Sequence, residues 1–163
     1  PPLWIIPAWP VASLAIDRLE RLLRYSLRRI PADSQSQFFR RLYGLVFGGF
    51  YLLMLVFVAP TFDKSFTWGA LALSALLIFT PTDHRMAVLT FAAGTGLGYF
   101  LELWGTTRQC WTYYTLQTPP LFAVLAHGMA AVAFWRAGLV LESLLKRSKV
   151  NSLFASRQVQ GQR

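Results

Sequence analysis

An all-α, polytopic membrane protein is what the chain predicts, and three observations predict it. Of 163 residues, 55% are hydrophobic and only 14% carry a charge, where a soluble domain carries roughly 25%. The charges gather toward the two ends and leave long uncharged runs between them. Those runs have the ~20-residue length that a 30 Å hydrocarbon core requires of a helix.

The elements follow in order. Residues 1–37 form an N-terminal segment that begins "PPLWIIPAWP". It has no basic n-region or long apolar run and is not expected to be a signal peptide. The stretch "VASLAIDRLERLLRYSLRRI" then sets Ile16, Leu19, Leu23, Leu27 and Ile30 on one side of a helix and Arg18, Arg21, Arg24, Arg28 and Arg29 on the other. A basic amphipathic helix of this kind suits the headgroup level of anionic lipid, and Pro31 closes it. "PADSQSQ" reads as a polar linker. Four spans are expected over 38–60, 66–80, 86–104 and 120–145, the second of them short. Pro120 suits the first turn of the last span, where a missing N–H costs nothing. The basic tail, 146–163, reads as frayed.

Four spans put both termini on one side. Counting Lys and Arg, thirteen fall on that side and two, Lys64 and Arg108, on the other. By the positive-inside rule both termini are cytoplasmic, in what is expected to be a bacterial inner membrane. Trp104, Trp111, Tyr113 and Tyr114 are then expected as an aromatic belt at the outer interface. The net charge of +9 is explained by this topology, and nucleic acid is not an expected partner. The expected partners are the lipid bilayer and other membrane subunits. A single cysteine, Cys110, rules out an intrachain disulfide and a cysteine metal site.

Small residues four apart mark helix-packing ridges in lipid, where close backbone contact matters most. Gly44 and Gly48 form one in the first span, and Gly94 and Gly98 form another in the third. Glu102 extends the second ridge by one further turn, so its carboxylate points at a helix. Its readings are a headgroup or Arg108 contact, or a proton carrier, general acid or ligand facing a cavity, since ionisable residues within spans are functional by default. His127 lies deeper in the fourth span among small residues, with Ala123 and Ala131 one turn away on either side. The favoured reading is a hydrogen bond across a tight helix interface. The second is ligation of a cofactor stacked over Ala123 and Ala131, with a tetrapyrrole, carotenoid or quinone as candidates. The third is catalysis with Glu102 as partner. No metal site is expected, and no HExxH, Gly-x-Ser-x-Gly or phosphate-binding glycine loop is present.

Glu102, Gly105, Thr106, Trp111, Tyr113, Thr115 and Pro120 together form a pattern. A helix ends in Glu-x-x-Gly, an aromatic–Tyr–Thr loop follows, and a proline opens the next helix. Residues 98–120 resemble in this respect the membrane hydratases of carotenoid biosynthesis, the bacterioruberin type. The resemblance implies an isoprenoid-chain substrate and an acid role for Glu102. The residues otherwise favour a non-catalytic subunit of a larger membrane complex, packing through its glycine ridges and able to hold a lipid, quinone or pigment. The alternative is a small membrane enzyme acting on an isoprenoid, carotenoid or lipid with Glu102 and His127.

Overall fold

The structure, a computed structural model, describes residues 5–29 and 32–160, with the side chains of 5, 6, 9, 32–35 and 147–160 left aside. Ile30 of the amphipathic pattern and the basic side chains of the tail lie outside the described residues. Every regular element described is helical: α1 (Ile5–Ser26), α2 (Ala32–Val58), α3 (Ser65–Phe79), α4 (His84–Thr107) and α5 (Leu121–Gln160), with short 3-10 turns at Leu27–Arg29 and Ala59–Thr61. Among the described residues three helices are long and apolar enough to cross a membrane, over Ser36–Thr61, His84–Thr107 and Leu121–Lys146. The expected second span, α3, is apolar but only 15 residues long, or ~22 Å.

Several boundaries differ from expectation. The polar "PADSQSQ" segment is no linker from Ala32 onward: α2 begins there. No proline interrupts these residues, so the hydrogen-bond ladder of the apolar span runs back through them. α4 begins two residues early because Asp83 caps it, its carboxylate accepting from the Met86 amide at 3.0 Å. The tail is helical as far as Gln160 rather than frayed from position 146.

The chain divides into two compact units, Pro1–Val132 and Ala133–Arg163. In the first, α4 is the hub. Residues 87–91 are buried in unbroken succession, which requires neighbours on every face of the helix. Phe47 and Phe50 of α2 set their rings against Phe91 at 5.2 and 5.8 Å. Gly128 of α5 lies under the Phe91 carbonyl and Thr95. α1 packs on α4 as well. The amphipathic helix is therefore docked on the bundle by the face carrying Ile16, Leu23 and Leu27, with Glu20 buried among them. Tyr43 ties α2 to the end of α3 by donating to the Ile78 carbonyl at 2.7 Å. The second unit continues α5, where Leu139, Leu141, Leu144 and Leu145 are exposed and Glu142 lies 3.8 Å from Lys146.

Candidate functional site

The second glycine ridge is a seam between α4 and α5. A Cβ on Gly94 would stand 2.7 Å from Ala131 Cβ and 2.9 Å from the His127 carbonyl. One on Gly98 would stand 2.5 Å from His127 Cβ and 2.8 Å from its Cγ. Real side chains do not approach so closely, so only glycine lets the two backbones meet here. The imidazole of His127 lies across Gly98 and is thereby carried to the next turn of the α4 ridge, where Glu102 projects.

There His127 Nε2 lies 2.9 Å from Glu102 Oε1. Two further donors arrive from the loop after α4. Tyr113 donates its hydroxyl to Oε1 at 3.0 Å, and Trp111 donates its indole N–H to Oε2 at 2.9 Å. The turn that delivers them is built by backbone bonds at the end of α4. Gln109 adopts a left-handed φ of 55°. Its amide donates to the Thr106 carbonyl at 3.2 Å, and the Cys110 amide donates to the Gly105 carbonyl at 2.9 Å. This paired bonding reverses a chain at a helix end and folds residue 111 back over the last turn. Gly105 leaves room for it: a Cβ there would fall 2.0 Å from the Trp111 ring. Tyr114 pins the far side of the loop by donating to the Phe57 carbonyl of α2 at 3.2 Å, and Phe122 packs against the rings of Tyr113, Tyr114 and Phe57.

The indole can only donate, so Oε2 accepts. Oε1 accepts from Tyr113. Oε1 thus lies between the Tyr113 hydroxyl and His127 Nε2, and which of Oε1 and Nε2 carries the hydrogen between them follows the imidazole tautomer. Nδ1 is left as the second functional atom of the ring. Exposure separates the pair: the Glu102 side chain is 5% exposed and that of His127 31%. Burial, reinforced by the Glu102 charge and its hydrogen bond, pushes the Tyr113 hydroxyl up to about 12, so it remains a donor throughout the neutral range.

Each residue expected from sequence has a definite place. Glu102 and His127 meet directly; Arg108 is not the carboxylate's partner. Ala123 and Ala131 are buried, and the position of Ala131 is filled by Gly94 of α4. Gly94 and Gly98 form a packing seam. Gly44 and Gly48 do not: among the described residues nothing lies within 4 Å of a Cβ built on either. Of the expected aromatic belt, Trp104 and Tyr114 are exposed, whereas Trp111 and Tyr113 turn inward to the carboxylate. Arg18, Arg28 and Arg29 are exposed. Arg24 is drawn to the buried Glu20 at 2.7 Å, and Arg21 lies 3.0 Å from Asp17. Sequence reasoning missed the donor role of Trp111 and Tyr113; the signal was Gly105, a glycine in the last turn of a helix, three residues after the carboxylate. Among the described residues, no group of three His, Cys, Asp or Glu side chains is placed to hold a metal ion. Comparison of the chain with protein-family models, with curated proteins and with solved structures finds no match.

Proposed function

We propose that this is a small integral membrane protein that performs acid–base chemistry on an apolar, isoprenoid- or lipid-like molecule, with His127 as the proton-exchanging group and Glu102 as the residue that positions it. The observation that carries the reading is the asymmetry of the pair. Three donors enclose the carboxylate, whereas the imidazole it holds keeps an accessible edge. A carboxylate on one ring nitrogen fixes the tautomer and orientation and supports positive charge on the ring, leaving the other nitrogen for the reacting molecule. His127 lies six residues inside α5, ~9 Å from its start, a depth at which the surrounding medium is acyl chain rather than water. A molecule reaching it comes from the bilayer. The assignment reverses the roles that the hydratase resemblance implies, since the buried Glu102 orients and the histidine meets the substrate.

The topology belonging to this reading has α3 as a short fourth span and both termini on the basic, cytoplasmic side of a bacterial inner membrane. Cys110 is exposed in the loop next to the site and reports on it. In right-side-out vesicles it reacts with an impermeant maleimide added outside; reaction only after the membrane is opened overturns the orientation.

The chemistry is tested by incubating reconstituted protein with a membrane lipid and carotenoid extract in deuterated water. Proton exchange or hydration catalysed at the site adds deuterium to one lipid species, and His127→Gln abolishes the incorporation. Absence of any incorporation or conversion by the native protein sinks the reading. The second reading, a laterally packing subunit, is supported by the open Gly44 and Gly48 face. Native mass spectrometry of a mild detergent extract tests it, and elution of the chain without any protein partner removes it.

A further inference from the structure

α1 has two opposite apolar faces, and the bundle uses only one. Ile16, Leu23 and Leu27 lie on the partly covered side with the buried Glu20. On the opposite side Val11 and Leu14 are each 66% exposed and Leu22 62%. Tyr25 is exposed on that side too, with the Arg28 guanidinium 3.9 Å above its ring. Charge is distributed along the helix as unevenly as around it. From Ile5 to Ile16 there is none; from Asp17 onward come Arg18, Arg21, Arg24, Arg28 and Arg29. Arg18, Arg28 and Arg29 make no ion pair among the described residues, whereas Arg21 and Arg24 are engaged by Asp17 and Glu20.

Two connections fix where such a helix runs. At its C-terminal end only residues 30 and 31 separate the turn at Leu27–Arg29 from α2, so that end stays at the surface where α2 enters the bilayer. It also packs on α4, and α4 is a spanning candidate from end to end, His84–Thr107. A helix tethered at the surface and packed on a span is directed into the membrane. Twelve uncharged residues at 1.5 Å each reach ~18 Å, about the depth of one leaflet's acyl region in a ~30 Å core.

We propose that α1 is a half-membrane helix. Its first half is inserted beside α4 in the leaflet on the basic side, with Val11 and Leu14 against acyl chains. Arg18, Arg28 and Arg29 hold the anionic headgroups of that leaflet. This differs from a helix lying flat at the interface, whose apolar face would be the one that α4 covers. It rests on the apolar helices spanning a bilayer and is independent of the chemistry proposed for His127.

The test uses the full chain with Cys110→Ser and single cysteines at Val11, Leu14 or Leu22, each carrying an environment-sensitive fluorophore. A control label at Leu52, exposed on α2, reports that the bundle itself is in the bilayer. The proteins are placed in vesicles of phosphatidylcholine with phosphatidylglycerol that contain nitroxide-labelled lipids. Labels at Val11 and Leu14 are expected to shift to the blue and lose emission to acyl-chain nitroxides. The label at Leu22 is expected to respond to nitroxides near the headgroups. Replacing Arg18, Arg28 or Arg29 by Gln lowers the preference for phosphatidylglycerol around the protein by up to about fivefold each. Quenching of the Val11 and Leu14 labels from water, with Leu52 quenched from lipid, overturns the proposal. Shielding from both quenchers also overturns it, because the face is then covered by protein.

Discussion

Two glycine ridges of the same spacing lie in this chain, and they have opposite fates. Gly94 and Gly98 are pressed against Ala131 and His127, with no room for a methyl group; Gly44 and Gly48 face open space. What distinguishes them is the continuation of the ridge. Beyond Gly98 the α4 face carries Glu102 and Gly105, and both receive partners: three hydrogen-bond donors for the one, an indole ring for the other. Beyond Gly48 the α2 face offers Leu52, which is exposed, and Tyr51, whose hydroxyl reaches the Leu71 carbonyl of α3 only at 3.5 Å. In lipid, where apolar surface alone does not drive helices together, small residues permit contact and polar groups select it.

The comparison breaks most readily at Gly98. Gly98→Leu drives a side chain into His127 and is expected to abolish the folded, monodisperse protein in detergent, since overpacking costs ~1–3 kcal/mol even for smaller insertions. Gly44→Leu should leave the chain folded, and equal loss in both variants would show that the two ridges do not differ. Next in size is Glu102→Ala, which strands three donors at ~1–3 kcal/mol for each one left buried. Thermal unfolding should show a clear fall, and Glu102→Gln a smaller one. Gly105→Ala should expel Trp111 from the carboxylate. Its signature is a red-shifted indole emission that is absent from Trp111→Phe, and an unshifted spectrum would mean that the ring does not occupy this space. A smaller effect is expected at high pH. The Tyr113 hydroxyl lies above its ordinary value of 10.0 in the folded chain. Its contribution is therefore complete below pH 10.0 and is lost as pH rises through about 12. Alkaline unfolding of Tyr113→Phe should lack this step. Gly44→Ala is expected to change stability by no more than ~0.5 kcal/mol.

The all-helical class and the apolar runs were legible because hydrocarbon length and charge clustering act over many residues and tolerate errors of a few. Boundaries were less so. Asp83 takes over the start of α4 through one hydrogen bond, and nothing in the composition of "PTDHR" separates a cap from a turn residue. At the site, spacing alone aligned Gly94, Gly98 and Glu102, and the small neighbours of His127 pointed to a tight interface. The meeting of Trp111 and Tyr113 with Glu102 was hidden because it depends on a left-handed Gln109, a residue type with no strong preference for that conformation. The covered face of α1 was visible as a helical stripe. The buried Glu20 within it was not, because its compensating partner Arg24 looks in sequence like one more cation on the polar side.

Gly105 and Trp111 occupy one side chain's worth of space between them. A larger residue at 105 is incompatible with an aromatic ring at 111 but not with a small residue there, so the effect of either change reverses sign with the other in place. Positions 98 and 127 share space in the same way, whereas a side chain at 94 also meets the His127 carbonyl and the Gly128 Cα, which no change at 131 removes. Drift at Gly105 and Gly98 is therefore tied to a paired replacement. A library varying 105 with 111, and 98 with 127, would recover folded proteins that replacement of Gly105 or Gly98 alone does not, whereas position 94 would stay glycine.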